Sequence, residues 1–330
     1  MKRIRRNRTI VASGVGLCFG LLTRALLHRR AAWIQGADFT YPWLAARFVI
    51  HGANPYIAIR HAVTPYQSVM FYPLPVALLA VPFAWMSAEY AAIIFIAVST
   101  AVLAFALTRE NWWPLLVFAT APAFKSAWSV QWAPLFTAAA LIPALAWLTI
   151  GKPNMGLPVL AYHGRRGVRT AIMWGAPVLA VLVTASFAIE PRWVVDWIGM
   201  LRSSPVADQY RIPLLTPWGW WLVLILAFWR DRDARLLFAM ACVPQNFFLY
   251  EQLPLMLVAR SRAELIALAV TSWLAYFGTQ SRMFDQWAES SRWDLPFAIA
   301  GVYAPAFILV AWRCRWRSKA MRSSVSALIR

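Results

Sequence analysis

The sequence predicts an all-α integral membrane protein, a polytopic bundle of about ten transmembrane helices (in a range of about nine to eleven) with a structured first external loop. Three observations predict this class. Of the 330 residues, 61% are hydrophobic and only 14% are charged. The apolar residues come in repeated blocks about as long as a bilayer is thick. Many of the 20 Trp stand near the ends of those blocks, where amphipathic rings meet lipid headgroups.

Taken in chain order, the apolar blocks predict spans at residues 9–28, 70–87, 89–108, 112–124, 131–149, 169–189, 214–229, 235–250, 262–279 and 295–312. An even number of spans places both termini on one side. The stretch 112–124 is short for a hydrocarbon core of about 30 Å. Residues 9–28 follow a basic segment but lack a small-residue cleavage site, so we predict a retained first span.

Two shorter apolar stretches, 157–163 and 253–260, each follow a span and end at basic residues. In one interpretation they are broken or re-entrant helices, and chain breaks at 151–158 and 251–254 line a common cavity. In the other they are external loops before short tilted helices. The sequence leaves both interpretations open.

The net charge of +19 is distributed unevenly along the chain. Basic residues crowd a short N-terminal segment (1–8) and a tail (313–330) on either side of one transmembrane domain (9–312). Segments 190–213 and 280–294 carry as many acids as bases, or more. By the positive-inside rule both termini lie in the cytoplasm, the membrane is the cytoplasmic (inner) membrane, and anionic lipid headgroups are the counter-charge. We therefore expect membrane lipids, and no nucleic acid, as partners.

The first external loop, residues 29–69, is predicted to be structured. Apolar residues at helical spacing predict an interfacial helix over Tyr41–Ile50, which Gly52 ends. Asp38, the one carboxylate of this loop, lies just before that helix. Two roles remain open for it: a helix cap or a salt bridge to Arg47, or a carboxylate presented to a cavity.

Basic side chains of the same loop form a candidate anion site with Asp38 as proton acceptor, which fits a substrate that carries a phosphate and a hydroxyl. The candidates for substrate binding are Arg47, His51 and Arg60. The alternative for His51 is a polar surface residue. Farther along the chain, Arg211 and Glu251 are predicted either to line the same cavity or to anchor loops. No Gly-rich nucleotide loop and no Cys/His metal spacing is visible, so we expect no cofactor and no metal.

A longer set of positions matches a known pattern. In the loop and second span these positions are Asp38, Tyr41, Ala45, Ala46, Arg47, Gly52, Asn54, Pro55, Tyr56, Tyr72, Pro73, Pro75 and Pro82. Together they resemble the polyprenol-phosphate-sugar-dependent glycosyltransferases with the C-type membrane fold, especially the family that includes mycobacterial mannosyl- and arabinofuranosyltransferases. Gln131 occupies the place of that family's Gly-Gln pair, with Val130 in place of the Gly, and Lys152-Pro153 is similar to its Lys-Pro motif. The resemblance covers roughly residues 30–165.

The resemblance implies a C-type glycosyltransferase fold. It implies an enzyme that moves a hexosyl or pentosyl group, with inversion, from a polyprenyl-phosphate-linked sugar donor to a hydroxyl of a cell-envelope glycan or glycolipid acceptor. Asp38 is then the general base, and Lys152 or loop arginines bind the donor phosphate. Tyr56, Tyr72 and Gln131 are the further substrate-binding candidates.

Two other functions remain as alternatives. A transporter or flippase of a lipid-linked substrate would use broken helices and intramembrane charges such as Lys152 and Glu251. A non-catalytic assembly protein would tolerate replacement of Asp38 and Lys152.

Overall fold

The computed structural model of the protein describes residues 2–29, 37–62, 70–203, 211–245, 248–280 and 295–328. Throughout these residues the regular structure is helical, and one isolated β-bridge joins Arg211 to Gln245. The predicted all-α class is therefore confirmed as a helical bundle. Two parts of the first loop, 30–36 and 63–69, lie outside the described residues.

α-Helices alternate with shorter helices of other types. The α-helices are α1 (Lys2–His28), α2 (Thr40–Ile50), α3 (Pro55–Ala58), α4 (Leu74–Ala80), α5 (Ala88–Leu107), α6 (Ala121–Ser129), α7 (Ala133–Leu141), α8 (Pro153–Leu160), α9 (Arg165–Ile189), α10 (Trp193–Ser203), α11 (Arg232–Ala241), α12 (Arg262–Gln280) and α13 (Ala304–Leu328). The longer 3₁₀-helices are Trp113–Ala119, Pro143–Gly151, Trp220–Phe228 and Tyr250–Val258, and a π-helix covers Ile299–Tyr303.

Four described segments are long and apolar enough to cross a membrane, namely Asn7–His28, Ala88–Leu107, Arg165–Ile189 and Leu295–Trp316. Their length and composition support the predicted integral membrane protein.

Helices α1 and α5 pack antiparallel and define the two ends of the bundle. At one end Arg8 Nη2 donates to the Phe105 carbonyl at 2.6 Å, and at the other His28 Nδ1 lies 3.6 Å from Glu89 Oε1. We call these the Arg8 end and the His28 end. α1 ends at the His28 end and α5 begins there. The segment that connects these two helices therefore begins and ends at the His28 end.

The prediction of a span at residues 70–87 is therefore wrong. α4 and the 3₁₀ turn that follows it have a combined axial rise of only about 16 Å, too short for a bilayer. The indole of Trp43, on α2, donates to the carbonyls of Phe83 (3.2 Å) and Met86 (3.1 Å), which holds this segment against the first loop. Its prolines, including Pro82, prevent one continuous helix.

The next segment returns from the Arg8 end to the His28 end in two pieces. Trp112 lines one pocket with Asn7, and Thr23 Oγ1 donates to the Ala127 carbonyl at 3.4 Å near the other end. A 3₁₀-helix rises about 2.0 Å per residue, so the 3₁₀-helix Trp113–Ala119 and α6 together rise about 28 Å. A sequence that is short as an α-helix thus reaches most of the way across a bilayer.

Residues 131–149, predicted as a span, instead form most of a hairpin. α7 leads away from Trp132, and the following 3₁₀-helix, Pro143–Gly151, runs back toward it. A Cβ on Gly151 would lie 3.7 Å from the Trp132 ring and 3.8 Å from the Phe136 ring. Lys152 then separates this 3₁₀-helix from α8. The predicted chain break at this point is confirmed.

The prediction of one span at 235–250 is also wrong. α11 ends at Ala241, and a 3₁₀-helix begins at Tyr250 after Leu249, whose φ is 63°. We predicted a chain break at 251–254, and the structure has it earlier, between Ala241 and Tyr250.

An ion-pair cluster joins the later helices. Asp233 is 2% exposed, and Arg260 binds it through Nε at 3.0 Å and Nη2 at 2.5 Å. Arg313 lies 3.5 Å from the same carboxylate and 3.8 Å from Glu264. Because a bidentate guanidinium matches both carboxylate oxygens, this cluster ties the last helix to the starts of α11 and α12.

The first helix begins, and the last apolar span ends, at the same end of the bundle. Leu116, shortly after the Arg8 end, lines a groove together with Ile266 near the start of α12. Glu264, in the same turn of α12, pairs with Arg313.

Candidate functional site

Four polar side chains meet inside the bundle near the His28 end. Gln131 Nε2 donates to Asp38 Oδ2, and Gln131 Oε1 accepts from Lys152 Nζ at 3.3 Å. Lys152 Nζ also lies 3.9 Å from Glu251 Oε1. We call Asp38, Gln131, Lys152 and Glu251 the polar cluster. All of them were predicted site residues, and the structure brings them together from three distant parts of the chain.

Chain breaks position the members of this cluster. Asp38 lies in the 3₁₀ turn Ala37–Phe39, which leads into α2, and the N-cap of α2 is Phe39. Of the two roles left open for Asp38, the helix cap is wrong, because Phe39 is the N-cap of α2 and the Asp38 carboxylate accepts from Gln131. Gln131 precedes α7 and Lys152 follows the 3₁₀-helix Pro143–Gly151, so the two residues lie at the open end of the hairpin that these helices form.

Two members of the cluster are fully buried and the other two, Asp38 and Lys152, are partly buried. Gln131 and Glu251 have 0% exposure, and the Lys152 side chain is 14% exposed. The Glu251 carboxylate lies beside the Lys152 ammonium, and the amide of Gln131 turns its NH₂ to the Asp38 carboxylate and its oxygen to that ammonium. Charges inside an apolar bundle are costly, so such a group indicates a functional site.

Sequence reasoning missed Tyr250 as a member of the site. Its phenol oxygen accepts from Lys152 Nζ at 3.2 Å, and the ammonium lies 4.8 Å from the ring centroid. Both contacts stabilise the cation. The signal in the sequence was its position directly before the buried acid Glu251, at a chain break.

Backbone strain is concentrated at this site. Among the described residues, three that are not glycine have positive φ: Ala37 (46°), Val130 (52°) and Leu249 (63°). The residues that directly follow them are Asp38, Gln131 and Tyr250. A left-handed conformation costs a residue with a Cβ about 1–2 kcal/mol, and strain of this kind is characteristic of functional sites.

Aromatic rings form a wall behind Asp38 and Gln131. Trp132, which follows Gln131, has its ring centroid 4.8 Å from that of Phe95 and 6.4 Å from that of Phe39, the residue after Asp38. The ring of Tyr72 lies 6.4 Å from the same indole. These rings exclude water, which strengthens the electrostatic interactions of the cluster.

Tyr56 and Tyr72 hold the first loop in place. Tyr56 Oη donates to the Tyr72 carbonyl at 3.2 Å, and burial raises the pKa of this phenol, which keeps it a neutral donor. Asn54 caps the turn of Tyr56, accepting from its backbone N–H at 2.9 Å, and donates to Asp196 of α10 at 2.9 Å. The contact to α10 was not predicted.

The structure places the three basic candidates of the loop on its surface. Arg47, His51 and Arg60 are all exposed. The Arg47 guanidinium packs 5.0 Å from the Trp43 ring, and His51 Nδ1 lies 2.7 Å from the Arg47 carbonyl. They remain available to an anion outside the bundle but are not members of the polar cluster.

Arg211 contributes through its backbone. It pairs with Gln245 in two hydrogen bonds of 2.9 Å. The Gln245 side chain in turn accepts from Gln252 Nε2 at 2.6 Å and from Tyr303 Oη at 2.8 Å. This buried network fixes the segment that carries Glu251.

The arrangement suits proton acceptance next to a fixed cation. The carboxylate of Asp38 can take a proton from a hydroxyl, while Lys152 offsets negative charge that develops nearby. Within the described part of the chain, no three His, Cys, Asp or Glu side chains converge as metal ligands would.

No family model matches the chain, and neither the curated proteins nor the solved structures contain a match to it.

Proposed function

We propose that the protein is a membrane glycosyltransferase that moves a sugar from a polyprenyl-phosphate donor to a hydroxyl of an extracytoplasmic cell-envelope acceptor. The observation that carries the proposal is the polar cluster: a carboxylate, Asp38, linked through Gln131 to the largely buried cation Lys152 inside an apolar bundle. A base for the acceptor hydroxyl and a cation for the leaving phosphate are the groups that a displacement at a phosphate-linked sugar requires.

The proposed step is one inverting displacement. The acceptor oxygen forms a bond to the anomeric carbon and gives its proton to Asp38. The bond from that carbon to the phosphate oxygen breaks, and its electron pair leaves with polyprenyl phosphate. Lys152 stabilises the charge that develops on the phosphate, and the proton then passes from Asp38 to solvent.

The resemblance to C-type glycosyltransferases supports this proposal at one further position. Val130 stands where that family usually has Gly, and its φ of 52° lies in the region that glycine enters without cost. Glycine is the residue that best suits this left-handed turn before Gln131.

We further propose a C-type fold with about ten crossings, some of them built from short or broken helices and not from one long apolar helix. The Arg8 end is cytoplasmic, since the basic termini belong to it. The polar cluster then opens toward the external side.

Turnover of polyprenyl-phosphate hexoses and pentoses by the purified protein tests the proposal. We expect Asp38→Asn to lower the rate by about a hundredfold or more, because the general base is lost. Glu190→Gln, which removes a carboxylate at the end of α9, is the matched control and should leave the rate unchanged. Equal rates for wild type and Asp38→Asn would contradict the mechanism.

A transporter of a lipid-linked substrate is the second candidate. It is favoured by one observation, the Lys152–Glu251 pair placed where two chain breaks meet. If no donor is turned over but vesicles containing the protein translocate polyprenyl-phosphate lipids, the transporter replaces the enzyme.

A further inference from the structure

An apolar groove of about 400 Å³ runs between the 3₁₀-helix Trp113–Ala119 and α12. Its lining includes Leu116, Ile266, Val270 and Phe277. The last three are 43%, 54% and 61% exposed, so in a membrane they face lipid chains. From Ile266 to Phe277 the helix rises about 16 Å, enough to hold a stretch of an extended apolar chain.

The groove has one end nearer the His28 end of the bundle, and a cation lies just beyond it. Lys125, on α6, is half-buried, and its Nζ lies 5.6 Å from the ring centroid of Trp128, 5.9 Å from that of Tyr276 and 6.0 Å from that of Phe248. The ring of Trp273, which lines the groove, lies 5.3 Å from that of Tyr276. Groove and cation therefore share one continuous aromatic surface.

Two short stretches of chain connect the surroundings of this cation to the polar cluster. Phe248 is two residues before Tyr250, which binds Lys152, and α6 leads through Val130 into Gln131. A molecule seated in the groove would thus have its polar end at Lys125, on the element that leads to the cluster. In such surroundings an ammonium attracts an anion strongly, because little water screens the charge.

We propose that the groove and Lys125 are the docking site of a phosphate-bearing polyprenyl lipid, with its chain along α12 and its phosphate on the Lys125 ammonium. This inference rests on the proposed function and deepens it, since it assigns the path by which the donor reaches the polar cluster. The apolar lining accepts the chain, and charge complementarity at one end selects a phosphate over the neutral alcohol. Its orientation puts the phosphate toward the His28 end, which is the proposed external side.

Equilibrium binding of a labelled polyprenyl monophosphate to the purified protein tests the assignment without any turnover. We expect Lys125→Gln to weaken binding about tenfold and Lys125→Arg to retain it, because only the first removes the charge. Ala269→Phe, which fills the groove, should weaken binding about fivefold or more. Ala180→Phe on lipid-facing α9 is the matched control and should bind as wild type does. Unlabelled polyprenyl phosphate should displace the probe, whereas polyprenol and phosphatidylglycerol should displace it weakly.

Wild-type binding by Lys125→Gln would overturn the inference, as would equal displacement by phosphatidylglycerol, which would make the groove a bulk phospholipid site. Equal binding by Ala269→Phe and Ala180→Phe would overturn it too. Asp38→Asn separates the two proposals, since it should bind the lipid normally. If no variant turns over any donor but this binding pattern holds, the docking site stands and glycosyl transfer fails. If turnover depends on Asp38 while Lys125→Gln binds normally, only the docking site fails.

Discussion

Replacing Lys152 by Met tests the energetics of the polar cluster. The variant keeps most of the length of the side chain but leaves the Glu251 carboxylate, which has 0% exposure, without its cation at 3.9 Å. With an effective dielectric constant of about 20, the attraction across this distance is about 4 kcal/mol. Removal of one partner of a buried pair costs about 3–5 kcal/mol, so we expect Lys152→Met to lower the free energy of unfolding by that amount.

The double variant Lys152→Met, Glu251→Gln provides the control. Since a neutral amide no longer requires the cation, the double variant should recover about 2–4 kcal/mol relative to the sum of the single losses. The assay is unfolding by sodium dodecyl sulfate in mixed micelles, followed by tryptophan fluorescence. A loss below about 1 kcal/mol for Lys152→Met, or losses that simply add, would refute the assignment of a buried and coupled pair.

Two further predictions concern the backbone and the second ion cluster. At Val130, with φ 52°, we expect Val130→Gly to be more stable than Val130→Ala by about 1 kcal/mol, the reverse of the usual order in helices, since only Gly enters this region without strain. Equal melting temperatures of the two variants would contradict the left-handed turn. Asp233→Asn should cost about 3–5 kcal/mol, because it leaves Arg260 without its buried carboxylate. Glu89→Gln, which breaks the half-exposed pair with His28, should cost under about 1 kcal/mol, and comparable losses for the two variants would show that the Asp233 cluster is not buried.

Hydropathy predicted the class of protein and several elements correctly. α2 and its end at Gly52, with φ 71°, agree with the helix predicted over Tyr41–Ile50. The chain break at Lys152 was also predicted. These features depend on local chemistry: apolar spacing, a glycine that enters the left-handed region, and a proline that begins a new helix.

The errors concern the direction of the chain. Hydropathy measures whether a segment prefers an apolar environment. The apolar segments 70–87 and 131–149 satisfy that preference equally well as membrane crossings, as hairpins or as pieces buried in the bundle. Only the contacts between distant segments distinguish these possibilities. Those contacts also separate Asp38, which reaches Gln131, from Arg47, which packs on a surface ring.

By itself, the sequence determined that the protein is helical and belongs in a membrane, because composition sets the cost of exposing backbone and side chains to lipid or water. It also supplied the polar residues that such a membrane protein retains at a cost. Only the tertiary structure decided that Asp38, Gln131, Lys152 and Glu251 form one cluster and that Tyr250 belongs beside it. The physical reason is that an intramembrane charge is stabilised by partners far away in sequence, and no local pattern records which partners the packing will supply.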